Sequence, residues 1–145
     1  MIGSKKYFID TAPYIYYLEK NKLLYDKIKA FFKEAYEADE ELVTSTITIE
    51  EYLVYPYRND DKEAIDKFFK FIGDTETSVI HIDENIAARA ARIRAKYTSF
   101  KAMDSLQLAV AEEENCDVFL TNDKRLKKFE GVEVITVEEL ADPEK

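Results

Sequence analysis

The stretch Ala102-Met103-Asp104-Ser105-Leu106-Gln107-Leu108-Ala109, followed at a short interval by Asp117-Val118-Phe119-Leu120-Thr121-Asn122-Asp123, decides how the chain is read. Asp104 stands where a helix opens, and Leu106, Ala109 and Val110 give that helix an apolar side. Residues 117–121 form a short β-rich run, and Asp123 begins a turn of helix reaching Phe129. A strand over Val132 to Thr136 and a last helix around Val137 to Ala141 follow.

Upstream the alternation repeats. Tyr7-Phe8-Ile9 reads as a strand ended by Asp10-Thr11-Ala12-Pro13, where Asp or Thr caps a helix running to about Lys20 and the proline fits its first turn. Leu24, Ile28, Phe31, Phe32 and Ala35 mark an amphipathic helix between Lys22 and Asp39. Leu42 to Thr46 is a second strand, and Thr48 to Glu51 has the form of a capping box for a helix that should stop near Pro56. Ile65, Phe68, Phe69 and Ile72 stripe a helix ended by Gly73. Ser78 to Ile82 is a third strand, with Asp83 capping a helix whose inward side is Ile86, Ala90, Ile93 and Tyr97. About five strands alternating with helices predict an α/β fold, with a parallel sheet covered on both faces.

Composition bounds the rest. The 145 residues carry 21 Lys and Arg against 30 Asp and Glu, a net charge of −9, with 46% hydrophobic residues. No linker, repeat or low-complexity stretch divides them, so residues 1–145 read as one domain. No apolar run is long enough for a membrane span, and Met1-Ile2-Gly3-Ser4 leads into a strand without a signal-peptide pattern, so a cytoplasmic location is expected. A single Cys116 and a single His81 leave no disulfide, no zinc cluster of histidines and cysteines, and only one imidazole for a triad. Any metal must be held by carboxylates. The acid excess argues against a broadly basic nucleic-acid-binding surface.

The acids fall in a pattern. Asp10 ends the first strand, Glu51 lies in the first turn after the second, Asp123 follows the fourth, and Asp104 opens the preceding helix. Ligands of open parallel sheets bind at the carboxyl ends of the strands, so these four carboxylates are placed to share a pocket. Their mutual repulsion would be relieved by a hard cation such as Mg²⁺ or Mn²⁺, which can also activate water against a phosphodiester. Each acid taken alone is explained as well by helix capping, and the two roles are compatible.

Phe8-Ile9-Asp10-Thr11, Thr44-Ser45-Thr46-Ile47-Thr48-Ile49-Glu50-Glu51-Tyr52-Leu53 and the two stretches quoted at the outset resemble, in order and spacing, the four blocks of PIN-domain ribonucleases. The resemblance implies a three-layer α/β/α sandwich and Mg²⁺- or Mn²⁺-dependent cleavage of RNA. It implies a catalytic quartet of Asp10, Glu51, Asp104 and Asp123, with Asp10, Asp104 and Asp123 as metal ligands. Glu51 aligns with the family's glutamate better than Glu50. Small members are commonly VapC-type toxins neutralised by an antitoxin, and are often homodimers. Tyrosine stands at Tyr55-Pro56 where a glycine is common.

Thr121 and Asn122 read equally as a strand-ending turn and as support for a metal or phosphate. Lys101, Lys124, Lys127 and Lys128 form a candidate basic rim for RNA, because five bases and one acid lie between Arg89 and Asp104, and Lys124, Arg125, Lys127 and Lys128 face only Asp123 and Glu130 between Thr121 and Gly131, whereas Glu34 to Glu51 holds seven acids and no base. Tyr14, Tyr16, Tyr17, Tyr52, Tyr55 and Tyr57 are candidates for an interface with a partner or second subunit. His81 is expected to be structural and Cys116 a small buried residue. Alternatives are a noncatalytic PIN-like binding module, a free-standing RNA-processing nuclease, and a haloacid-dehalogenase-like phosphatase with Asp10 as nucleophile, which Ala12 disfavours for want of that family's second aspartate.

Overall fold

The computed structural model describes residues 4–143. Met1 to Gly3, on which the expectation of a leaderless chain partly rests, and Glu144-Lys145 lie outside the described residues. The elements run β1 (Lys6–Ile9), α1 (Thr11–Leu18), α2 (Tyr25–Glu37), β2 (Glu41–Ser45), α3 (Thr46–Arg58), α4 (Lys62–Asp74), β3 (Ser78–Ile80), α5 (Glu84–Lys96), α6 (Ala102–Glu113), β4 (Val118–Thr121) and β5 (Glu133–Thr136). Short 3₁₀ turns span Lys124–Lys128 and Val137–Glu139.

The five strands pair in parallel in the order β3-β2-β1-β4-β5. The chain therefore winds outward from β1 to β3, then crosses back and places β4 on the other side of β1. That reversal leaves a crevice between the carboxyl ends of β1 and β4, the place where α/β sheets take ligands.

Alternation along the strands divides the core into two layers. Phe8, Val43, Phe119 and Val134 pack with Ile86, Ala90, Ile93 and Leu108 of α5 and α6. Their neighbours Ile9, Leu42 and Leu120 face Tyr14, Ile28, Phe32, Tyr52, Leu53 and Phe68 of α1 to α4. This is the three-layer α/β/α sandwich. Phe8 and Phe119, paired in register on adjacent strands, stack with ring centroids 5.0 Å apart. Burying each such ring contributes about 2–3 kcal/mol.

Several boundaries differ from the sequence reading. Helix α3 starts at Thr46, two residues before the expected capping box, because the Ser45 hydroxyl caps it by accepting from the Ile47 N–H at 3.1 Å. It also continues past Pro56: the proline takes only its own N–H from the ladder, and Asn59 still donates to the Tyr55 carbonyl and Asp61 to that of Pro56. Helix α4 runs through Gly73 to Asp74, and β3 stops at Ile80, which leaves His81 exposed rather than within a strand. Phe69 is 47% exposed and lies off the buried stripe of Phe68 and Ile72. Helices α1 to α4 and α6 are each followed by a left-handed residue, Lys20, Asp39, Asp60, Glu76 and Asn115, where glycine is the usual choice.

Candidate active site

β1 delivers Asp10 to the crevice. Ile9 is in register with Leu120, and the Asp10 N–H donates to the Leu120 carbonyl at 2.9 Å, so the ladder holds Asp10 as it leaves the strand. Its carboxylate accepts from the Thr11 N–H (2.8 Å), as the cap of α1, from the Thr121 hydroxyl (2.8 Å) and from the Gln107 amide (3.3 Å). All three donors are neutral. Burial pushes the Asp10 carboxyl up to about 6, against the pull of those hydrogen bonds, and the charge of Glu51 adds to the rise.

A buried polar cluster lies beneath Asp10. Gln107 is 2% exposed, accepts from the Ser45 hydroxyl and donates to Thr48 Oγ1 at 2.8 Å. The Thr48 and Thr44 hydroxyls are 2.8 Å apart, and Thr44 donates to the Ile9 carbonyl at 2.8 Å. Thr48 is thus part of the support under β1, and Glu51 is not its capping partner. Instead the Thr11 hydroxyl donates to Glu51 Oε1 at 2.6 Å, which ties α3 to the start of α1. Glu51 lines the groove, and Glu50 is exposed and does not.

Asp104 stands in the first turn of α6 and accepts from the Lys101 N–H at 3.1 Å. Asp123 caps the Lys124–Lys128 turn by accepting from the Arg125 N–H at 3.0 Å. The Arg125 side chain returns to the same carboxylate as a fork, with Nε 3.0 Å from Oδ1 and Nη2 2.5 Å from Oδ2, and Nη2 also reaches Asp104 Oδ2 at 3.3 Å. The hydrogen bond from Arg125 holds Asp123 below the usual carboxylate range.

These groups line one open groove of about 660 Å³, with Asp10, Glu51, Asp104, Thr121, Asn122, Asp123 and Lys124 together with Ile15, Tyr16 and Arg125. A slightly larger depression of about 710 Å³ lies elsewhere, lined by Lys5, Lys6, Glu40, Glu41 and Glu76 among others. Its charges are mixed and it holds none of the predicted site residues, which makes the smaller groove the candidate site.

The donor set of carboxylate, hydroxyl and amide oxygens suits a hard divalent cation. Asp10, half-buried among neutral donors, is the acid whose ionised form such a cation would most relieve. Among the described residues no three acids, histidines or cysteines are close enough to hold an ion jointly. Asp10 and Glu51 are instead held by neutral donors, and Asp104 and Asp123 share Arg125.

The basic rim differs from expectation. Lys124 lines the groove and pairs with Glu138 at 3.4 Å. The charge of Lys101 contributes to lowering Asp123, although Lys101 does not line the groove. Lys127 and Lys128 do not line it either. Leu126 and Phe129 are buried and fix the turn, which sends Lys127 to Glu139 and the Val134 carbonyl of β5. Of the tyrosines, Tyr14 and Tyr52 are core residues, Tyr16 lines the groove, and Tyr55 and Tyr57 are exposed. Cys116 is buried, and burial pushes its thiol up to about 12.

Sequence reasoning assigns no role to Gln107, and it offers Arg125 only as one base of the rim. Gln107 is the chain's only glutamine and falls on the buried side of α6 beside Leu108, a signal for a polar side chain with a positioning task. Arg125 stands two residues after Asp123, close enough to fold back on it.

The sequence matches the family model of the PIN domain over residues 7–132. No curated protein matches the chain. Among solved structures, a toxin–antitoxin complex from Klebsiella pneumoniae is similar at 23% identity and a TM-score of 0.66, covering 90% of this chain and 96% of that one. VapBC2 from Rickettsia felis, bound to a promoter DNA fragment, is similar at 15% identity and 0.76, covering 90% and 98%. VapC20 from Mycobacterium tuberculosis, a toxin that cleaves the sarcin-ricin loop, is similar at 16% and 0.65, covering 88% and 98%. At these identities the structures establish a shared fold, and the match over residues 7–132 establishes the family: the chain belongs to the PIN-domain family.

Proposed function

We propose that the protein is a Mg²⁺- or Mn²⁺-dependent endoribonuclease, the toxin of a toxin–antitoxin pair. The observation that carries this reading is the meeting of Asp10, Glu51, Asp104 and Asp123 on one groove at the β1–β4 switch point. Asp10, Asp104 and Asp123 are the proposed metal ligands. A bound Mg²⁺ or Mn²⁺ would neutralise a phosphodiester oxygen and lower the pKa of a water molecule.

The chain's own groups divide the remaining work. Asp10 is fixed by Thr11, Thr121 and Gln107, so its carboxylate enters the groove in one orientation. Asp123 is held ionised by Arg125 and is therefore a weak base. Glu51, held on one oxygen by Thr11 and paired with no cation among the described residues, is better suited to take the proton of the attacking water. The water oxygen bonds to phosphorus as the bond to the 3′-oxygen breaks, the departing oxygen takes a proton from solvent, and the products carry a 5′-phosphate and a 3′-hydroxyl. Lys124 stands where it can neutralise a flanking phosphate.

An antitoxin partner, a homodimer and a cytoplasmic location belong to the same proposal. The similar structures described as toxin–antitoxin complexes favour the partner, and no described helix is long and apolar enough to cross a membrane. Ile15 beside the site and Val54, Tyr55 and Tyr57 on α3 are exposed apolar surface suited to an interface. Cleavage of a labelled RNA with and without Mn²⁺, comparing wild type with Asp104→Asn, tests the reading. Metal-dependent cleavage lost in the variant is expected, and equal activity in the two would overturn it.

A further inference from the structure

We propose that Arg125 is an intrinsic counter-cation of this site: its guanidinium holds Asp104 and Asp123 until a divalent cation takes them, and the released side chain then serves an RNA phosphate. The inference rests on the metal-site reading above, in which Arg125 only keeps Asp123 ionised, and extends its role to metal exchange and substrate.

The geometry separates the backbone of Arg125 from its side chain. The N–H already caps the turn at Asp123, so the turn does not need the guanidinium. The side chain nevertheless makes a two-pronged contact with Asp123, reaches Asp104, and places Nη1 3.4 Å from the Ser99 carbonyl. It thereby bridges the start of α6, the end of β4 and the loop before Lys101. The oxygens it occupies belong to two of the three proposed ligands. A small divalent cation and a guanidinium cannot share those oxygens without close cation–cation repulsion. An arginine does not relieve that repulsion by losing its proton, so the side chain has to move.

Moving is easy. The Arg125 side chain is 44% exposed, so water can replace the contacts it gives up. Its main chain stays anchored between Asp123 and the buried Leu126, which keeps the guanidinium within reach of the groove it lines. Its planar fork suits a phosphate as well as a carboxylate.

Mn²⁺ binding to the full chain without RNA, read from the electron paramagnetic resonance of free Mn²⁺, tests the competition, and the KM for RNA cleavage tests the second role. Arg125→Ala should bind Mn²⁺ roughly two- to fivefold more tightly and yet cleave RNA with a KM raised severalfold. Arg125→Lys, which keeps a cation without the fork, should fall between the alanine variant and wild type in both. Mn²⁺ affinity unchanged or weakened in Arg125→Ala, or an unchanged KM, would overturn the inference. Asp104→Asn separates the two levels. If it weakens Mn²⁺ binding while Arg125→Ala does nothing, only the role of Arg125 fails; if it leaves Mn²⁺ binding intact, the metal site itself fails.

Discussion

The two halves of the acidic groove solve the same electrostatic problem in opposite ways. Asp10 sits among Thr11, Gln107 and Thr121, neutral donors all, and burial lifts its carboxyl to about 6. Asp104 and Asp123, across the groove, share the guanidinium of Arg125, and Asp123 titrates below its ordinary range. The strand-borne half is held by neutral hydrogen-bond donors, with no cation bonded to Asp10 among the described residues. The turn-borne half is half-buried and already compensated. A divalent cation would therefore gain most from Asp10 and would have to compete for the other two.

The comparison breaks most visibly at Asp10. Asp10→Asn should lower RNA cleavage by more than the roughly 10–100-fold typical of residues that only support metal ligands, read as initial rates at saturating Mn²⁺. Gln107→Leu removes the donor beneath it and leaves the Ser45 and Thr48 hydroxyls short of partners. It should cost about 2–3 kcal/mol of stability in urea unfolding, and about 10–100-fold in cleavage through a misplaced Asp10.

A pH series without metal sharpens the contrast. Because the carboxyl of Asp10 is raised, the folded chain binds more protons than the unfolded one between about pH 4 and 6. Asp10 therefore makes stability fall as pH rises through that window, by up to about 3 kcal/mol, and saturating Mn²⁺ at pH 7 should restore part of the loss. Asp10→Asn should lack this fall and be the more stable protein at pH 7 in metal-free unfolding. The smallest effect is expected at Lys127, which faces Glu139 outside the groove. Lys127→Ala should change stability by no more than about 1 kcal/mol and leave the KM for RNA unaltered.

Much of the site was legible in the sequence because its acids stand at element ends, where strand and helix patterns are easy to see. Asp10 after Phe8-Ile9 and Asp123 after Phe119-Leu120-Thr121 needed only the alternation of apolar runs and a parallel sheet to be brought together. Element ends were less legible. Left-handed residues after the helices are Lys, Asp, Glu and Asn in a chain with three glycines, so the punctuation that usually marks a helix stop was absent, and Gly73 pointed to an end that comes later. The start of α3 was misread because Thr48 and Glu51 have capping-box spacing, while the deeper contacts of Thr48 with Thr44 and Gln107 depend on α6 packing from 59 residues away. The layout of the rim was hidden for a similar reason. Charge runs show which residues are basic, but the burial of Leu126 and Phe129 decides that Arg125 turns to the acids and Lys127 away from them.

The central claim, that this groove hydrolyses RNA with a carboxylate-held metal, is tested most directly by the ends of the cleaved strand. Labelled RNA treated with the wild-type protein in Mn²⁺ should yield fragments bearing a 5′-phosphate and a 3′-hydroxyl, and excess EDTA should stop the reaction. Cleavage that survives EDTA, or products ending in a 2′,3′-cyclic phosphate, would contradict it.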